Sequence, residues 1–476
     1  MIAHREATRD ALPEVVDRAM DRATGSRPIP GNRVTLLFDG PEIFPEMLRR
    51  IAAAERWIHL DSYIFRSDET GRMFAEALLE RASAGVAVRV LTDWVGSITT
   101  RRKFWRKLRA AGIAVRAFNP PRLVRLRRNL VRDHRKVLVV DGTQAVVGGH
   151  CIGNEWTGNP AKNRQPWRET ACAVDGPAAR AVDQAFARLW RVTGAGLPDG
   201  ELATDVPATG DSAVRVIEGE PGGVRTSRAT ELLLNGAEQR VWVTDAYFIA
   251  PRGIYQALMD AASDGVDVRL LMPGTSDLSH VQNLTRIGYG DLLRAGVRIF
   301  EWRGPMLHAK TIVTDSRWVR IGSTNLNVSS LLANYELDVL IDNGRLGLAM
   351  EAQFRRDLEH STEIQLSVRR KGRRNRGKLA AIPAAADAPP PAHRPGLRER
   401  RRRAVVALWA VVAGARRALL LQYSIGLALV GILFLIFPRT MAVAFGVLVL
   451  WLAAAAWLET LGREPRGPDD SQPVAG

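Results

Sequence analysis

The sequence predicts an α/β fold of two pseudo-symmetric βαβ domains, each a mixed sheet flanked by helices, with a transmembrane helical hairpin appended near the C-terminal end. Three observations carry this. Residues 57–92 alternate a buried apolar run, an amphipathic helix and a second β-branched run, the rhythm of a βαβ unit. The same rhythm returns roughly 175–185 residues later: IHLDSYIF (58–65) and ALLERASAGVAVRVL (77–91) are mirrored by VWVTDAYFI (241–249) and ALMDAASDGVDVRLL (257–271), and LRAAGIAVRAF (108–118) by LLRAGVRIF (292–300). Matched order and spacing mean one structural unit used twice. Finally, residues 418–437 and 441–458 carry no charge except for the break at Pro438-Arg439-Thr440 between them, and each run is long enough to cross a hydrocarbon core.

In chain order, residues 1–30 form an N-terminal helical segment, with an amphipathic helix over 8–24. The first domain, 31–191, opens with a strand at 31–38 and a helix at 43–54. A buried strand covers 57–65, a helix runs over 71–84 with Gly85 as its C-cap, and a strand follows at 86–92. Residues 101–109 and 122–135 are basic and interleaved with Leu, Val and Trp, the composition of an amphipathic patch lying on anionic headgroups. A Gly/Pro/Asp/Thr-rich linker, 192–213, leads into the second domain, 214–368.

A basic, Ala/Pro-rich segment follows at 369–403 and reads as disordered. It holds 13 Arg or Lys against two acids, so most of the net charge of +17 sits there and residues 1–368 are only mildly basic. Positive charge placed just before an apolar tail suits an anionic membrane surface better than a nucleic acid. Residues 404–458 comprise an interfacial stretch, 404–415, and the hairpin, with Trp451 and Trp457 at belt positions; 459–476 is a polar tail. The Arg cluster at 398–403 with Arg416 and Arg417 predicts that this flank stays cytoplasmic, which puts the protein in the inner cell membrane with its two βαβ domains facing the cytosol. The first residues are charged, with no apolar stretch, so no signal peptide is expected. Cys151 and Cys172 form neither a disulfide framework nor a metal-type cluster.

The chemistry concentrates in LHAKTIVTDSRWVRIGSTN (307–325). His308, Lys310 and Asp315 are spaced H-x-K-x4-D, and Gly322-Ser323-x-Asn325 follows. His134, Lys136 and Asp141 repeat the spacing, with Gly148-Gly149 where Gly322-Ser323 falls. Alternation puts each His and Lys on one face, an imidazole nucleophile beside an ammonium that holds an anion. Small residues downstream let backbone approach a phosphate. A phosphodiester repels nucleophiles and leaves poorly, so its cleavage needs a nucleophile, a proton donor and cations for the equatorial oxygens. Two such sets supply these groups from side chains. Each imidazole also needs its second nitrogen fixed. Glu169 in WRETACAV and Glu336 in NYELDVLI are the candidates, since both interrupt apolar strands where an unpartnered carboxylate is costly.

These residues resemble the phospholipase D superfamily, and within it the bacterial cardiolipin synthases with two HKD motifs. The resemblance covers about residues 31–368 and rests on both motifs, YIFRSDETG (63–71), GVAVRVLTDWVGS (85–97), HRKVLVVDG (134–142), GGHCIGNEW (148–156) and GSTNLNVSSLLANYELDV (322–339). It implies two phospholipase D-like domains meeting at one active site. It implies phosphatidyl transfer between two phosphatidylglycerols, yielding cardiolipin and glycerol through a phosphohistidine, without metal or cofactor. His134 would attack phosphorus and His308 protonate the departing glycerol, although the roles can be exchanged. Lys136 and Lys310 would hold phosphoryl oxygens with help from Asn325, Ser323 and Asn154. The motif aspartates Asp141 and Asp315, though part of the catalytic signature, would hold loops together. Cys151 stands where the first motif usually has Asn, and Asn327 where the second has Asp. The implied partners are anionic phospholipids and the membrane, with no nucleic acid. The alternatives are a phospholipase D with water as acceptor and, further off, a nuclease of the superfamily. Of the remaining histidines, His150 beside Gly149 is the one to test; His4, His59, His280, His360 and His393 read as structural or surface groups.

Overall fold

The computed structural model describes residues 17–121, 130–158, 163–367 and 378–383. The predicted hairpin, most of the patch at 122–135, and residues 369–377 and 384–403 of the segment expected to be disordered lie outside them, whereas residues 378–383 of that segment form a strand. Among the described residues, no helix is long and apolar enough to cross a membrane.

Seven strands come from the first half: β1 (Ile29–Phe38), β2 (Trp57–Ser62), β3 (Ala87–Asp93), β4 (Ala114–Phe118), β5 (Lys136–Val140), β6 (Gln144–Gly148) and β7 (Thr170–Asp175). Seven more follow: β8 (Ser212–Gly219), β9 (Arg240–Thr244), β10 (Asp267–Pro273), β11 (Arg298–Trp302), β12 (Thr311–Thr314), β13 (Trp318–Gly322) and β14 (Glu336–Asp342). The first set is ordered β1-β7-β6-β5-β2-β3-β4 and the second β8-β14-β13-β12-β9-β10-β11, the same order shifted by seven strands. β2-β3-β4 and β9-β10-β11 are parallel and their other neighbours antiparallel, so each sheet is mixed. A short, bulged β1–β8 pairing joins the two, and β15 (Ser361–Ser367) with β16 (Lys378–Pro383) extends the second edge.

The first parallel crossover in each half is made by helices Glu69–Ser83 and Arg252–Ser263. The first is capped by Asp68, which accepts from the Gly71 N–H at 3.0 Å. It ends at Gly85, whose φ of +90° ends the helical path at little cost for a residue without Cβ. Helix Arg102–Ala110 buries only Leu108, so its arginines and lysines stay at the surface. Residues 17–24 are helical, the described end of the predicted N-terminal helix. β2 is narrower than its sequence run, because the chain leaves the ladder after Ser62.

The two sheets meet through inward-facing residues of their central strands. Val137, Val139, Val147, Cys172 and Val174 share one core with Val313, Val319, Ile321, Val339 and Ile341. A fully buried side chain of this kind stabilises by about 1.5–3 kcal/mol, so the apolar faces hold the halves together and set the relative position of everything at the strand ends. A buried ion pair crosses beside them: the Arg168 guanidinium donates to both Asp357 oxygens at 2.9 and 2.8 Å.

Candidate active site

His134 and His308 sit immediately before β5 and β12, where each chain passes under the other half. The His134 N–H donates to the Tyr335 carbonyl at 2.9 Å, and the His308 N–H to the Arg168 carbonyl at 2.8 Å. Tyr335 and Arg168 each precede a glutamate, so this backbone pairing carries Glu336 to His134 and Glu169 to His308. His134 Nδ1 lies 3.0 Å from both Glu336 oxygens, and His308 Nδ1 lies 2.7 Å from Glu169 Oε2. Each imidazole is therefore held by the carboxylate of the opposite half.

Both glutamates are fully buried. Burial alone would raise the Glu169 pKa, but the Lys310 ammonium and the hydrogen bond from His308 hold it at about 2. Burial, with Lys310 beside it, pushes His308 down to about 3. Burial also lowers His134, against the opposing pull of Glu336. An ionised carboxylate accepts only, so the proton of the neutral ring sits on Nδ1 and Nε2 carries a free lone pair. Lys310 Nζ also comes within 3.0 Å of His308 Nδ1. That contact cannot be a hydrogen bond while Nδ1 donates to Glu169. It is a crowding of two donors, which is why Lys310 depresses the histidine.

The two carboxylates are supported differently. Ser323 Oγ donates to Glu336 Oε2 at 2.5 Å and accepts the Leu337 N–H at 3.0 Å. Its counterpart is Gly149, where a Cβ would stand 2.6 Å from Glu169 Oε1. Glu169 instead receives the Trp156 indole N–H at 3.3 Å and the Thr170 N–H at 2.9 Å.

Both histidines line one cavity of about 710 Å³, together with Lys136, Cys151, Asn325 and the rim arginine Arg132. Lys136 and Lys310 are each about 1% exposed, and each ammonium donates to the carbonyl of its own motif histidine. Burial lowers Lys310 to about 8, with Lys136 adding to the effect. Asn325 keeps an unpartnered Oδ1. Cys151, its counterpart, is buried and its thiol pKa is raised by that burial, leaving a weak donor.

Other expected residues lie elsewhere. Ser323 is engaged with Glu336 and does not line the cavity. Asn154 Oδ1 accepts the Thr70 N–H and hydroxyl at 3.0 and 2.8 Å, and the side chain lines a neighbouring cavity. Asp141 and Asp315 stand at the far ends of β5 and β12. Asp141 accepts the N–H groups of Glu55, Arg56 and Trp57 at 2.8–3.0 Å, and Asp315 those of Glu238, Gln239 and Arg240 at 2.8–2.9 Å. They hold turns together and touch no reacting group. Asn327 caps helix Val328–Leu332 through Ser330 N–H. His59 is a buried structural group, 2.6 Å from Asp183 and stacked on Phe186. His150 is buried and lowered to about 4 by that burial, and its Nδ1 has no partner.

Sequence reading missed four aromatic residues of the cavity wall. Tyr63 packs 5.0 Å from the His134 ring and 5.1 Å from the Lys136 ammonium, and Tyr247 lies 6.0 Å from His308. Trp156 and Trp167 flank His308 at 5.5 and 5.6 Å. The signal for the tyrosines was present, because they occupy corresponding places in LDSYIF and VTDAYFI.

Doubled mixed sheets with two exchanged histidine–carboxylate pairs over one cavity define the phospholipase D-like class. The fold agrees with a crystal structure of phosphatidylserine synthase from Haemophilus influenzae Rd KW20, at a TM-score of 0.54 and 14% identity over 73% of this chain and 91% of that one. More narrowly, the chain belongs to the family described as cardiolipin synthase, PLD-like domain, whose model matches residues 47–190 and 232–358. Similar proteins include a cardiolipin synthase A of Pseudomonas aeruginosa (strain LESB58), 34% identical over 74% of this chain and 73% of its own. A cardiolipin synthase of Clostridium perfringens (strain SM101 / Type A) is 33% identical over 70% of this chain and 72% of its own.

Proposed function

We propose that the protein is a cardiolipin synthase, a phosphatidyltransferase that joins two phosphatidylglycerols and releases glycerol. The observation that carries this reading is the pair of histidines on one cavity, each with Nδ1 tied to a buried carboxylate and Nε2 free. In the first step His134 Nε2 forms a bond to phosphorus as the P–O bond to glycerol breaks, and protonated His308 gives its proton to the departing oxygen. The negative phosphodiester raises the proton affinity that burial had lowered. In the second step the acceptor hydroxyl gives its proton to His308, its oxygen bonds to phosphorus, and the P–N bond breaks. Exchanging the two histidines leaves the same balance. Lys136 and the rim arginine Arg132 offset charge on the phosphoryl oxygens, while Lys310, behind His308, keeps Glu169 ionised. The apolar pair 418–437 and 441–458 would hold the site at the inner membrane, catalytic domains toward the cytosol.

The test is incubation of the full chain in detergent with labelled phosphatidylglycerol. Cardiolipin plus glycerol is expected. Phosphatidic acid alone would mean water is the acceptor, and nicking of DNA without lipid turnover would mean a nuclease. His134→Ala and His308→Ala should each abolish turnover, and full activity in either refutes the shared site.

A further inference from the structure

A second cavity of about 750 Å³ adjoins the first, and the two share Arg66 and Trp167 in their walls. Trp167 is the ring that flanks His308 at 5.6 Å, so the second cavity opens directly behind the reacting wall. Its lining includes Arg66, Asp68, Asn154, Glu155, Arg164 and Gln165.

The lining sets two arginines against two carboxylates, but the carboxylates are already engaged. Asp68 already accepts the N–H groups of Gly71 and Asn154 at 3.0 and 2.8 Å. Glu155 accepts from the Arg66 guanidinium at 3.1 Å, and Arg66 also donates to Thr99 at 2.7 Å. Both carboxylates are thus occupied. The Arg164 guanidinium, the Gln165 amide and the Asn154 amide nitrogen have no hydrogen-bond partner among the described residues, and all three line the cavity. A pocket whose acids are already hydrogen-bonded and whose unpartnered groups are donors, one of them cationic, offers those donors to an anion with several acceptor oxygens.

We propose that this second cavity holds the phosphodiester headgroup of the acceptor lipid, on Arg164, Gln165 and Asn154, with the acceptor's glycerol reaching past Trp167 to phosphorus. This rests on the transferase reading above and adds to it a separate acceptor site. A transferase with two lipid substrates has two phosphates to place, and the His–Lys cavity accounts for the donor's alone. The chemical step is unchanged: the acceptor hydroxyl loses its proton to the free histidine, its oxygen bonds to phosphorus, and the P–N bond breaks.

The experiment compares two acceptors on the full-length protein in detergent. Labelled glycerol, exchanged into phosphatidylglycerol, is an acceptor without a phosphate and reports the donor half of the cycle. Cardiolipin formation needs the lipid acceptor. Arg164 is exposed and has no partner among the described residues, so Arg164→Glu should fold as the parent does. It is expected to lower cardiolipin formation about tenfold or more, as loss of a charge-assisted hydrogen bond does, while glycerol exchange stays within about twofold of the parent by the same reasoning. Gln165→Glu should shift the ratio in the same direction. An unchanged ratio of cardiolipin formed to glycerol exchanged in both variants overturns the proposal, and so does an equal fall in both reactions. Inorganic phosphate distinguishes the source of the anion. A headgroup site leaves cardiolipin formation unaffected by phosphate, whereas competitive loss that Arg164→Glu abolishes would show a free-phosphate site and overturn the lipid assignment. Failure of the underlying transferase reading shows separately, as a parent protein that performs neither reaction.

Discussion

Glu169→Gln is the most informative single change. The replacement keeps the volume and leaves an amide oxygen able to accept the Thr170 N–H, now 2.9 Å from Oε1. With the oxygen kept on Thr170, the amide nitrogen occupies the place of Oε2, 2.7 Å from His308 Nδ1, and the Trp156 indole N–H, now 3.3 Å from Oε2, loses its acceptor. That nitrogen can only donate, so Nδ1 must accept, the ring proton moves to Nε2, and the lone pair facing the cavity is lost. The same inversion of tautomer in serine proteases costs about four orders of magnitude in kcat. A fall of about 10³–10⁴-fold is expected here, equivalent to about 4–5.5 kcal/mol of barrier at about 1.4 kcal/mol per decade. KM should change little, because Glu169 contacts histidine rather than lipid. Labelled-phosphatidylglycerol turnover measures both constants, with thermal denaturation confirming that the variant folds. Glu169→Asp, which retains the charge, should recover part of the loss. Activity within tenfold of the parent in Glu169→Gln would refute the argument that this carboxylate sets the tautomer.

Three further outcomes follow from the geometry. Arg168→Ala strands the Asp357 carboxylate in the core and should cost about 3–5 kcal/mol in urea unfolding, whereas Arg168→Met with Asp357→Leu should recover most of it; equal losses in the two proteins would count against a buried pair. Asp315→Ala removes the acceptor of three backbone N–H groups at a residue with φ of +52° and should cost about 1–3 kcal/mol, with the surviving folded enzyme keeping its KM; a lost KM would mean Asp315 touches substrate. The carboxyls of Asp61 and Asp133 are buried together behind His134: burial and the charge of Asp133 push Asp61 well up, and burial, against Arg135 and a hydrogen bond from Asp61, pushes Asp133 up to about 7. The folded state then holds a proton that the unfolded state releases above the ordinary Asp range, so stability is highest in acid and falls as pH rises from about 4 toward about 7. Asp61→Asn should flatten that slope in denaturation midpoints measured across this range, and an unchanged slope would exclude the pair as its source.

Much of the fold could be read because periodicity is local. The βαβ rhythm, the repeat and the Gly85 cap each depend on residues close in sequence. The two glutamates could be found because a carboxylate in an apolar strand demands a partner. What could not be read is which histidine each serves, since Glu169 and His308 are brought together only when two sheets pack. The Arg168–Asp357 pair and the Asp61–Asp133 pair were hidden for the same reason. Ser323 and Asn154 were expected at the phosphate because the family resemblance implied it. Ser323 is instead committed to Glu336, and Asn154 faces the second cavity, differences set by side-chain direction rather than by spacing.

The exchange of glutamates has a consequence for how such a chain can change. Each copy of the duplicated unit carries a histidine and a carboxylate but anchors the histidine of the other, so a single copy could complete its site only by pairing with a second. Drift in one copy is answerable to the other, because a change at Glu169 or Glu336 is felt at the imidazole across the seam.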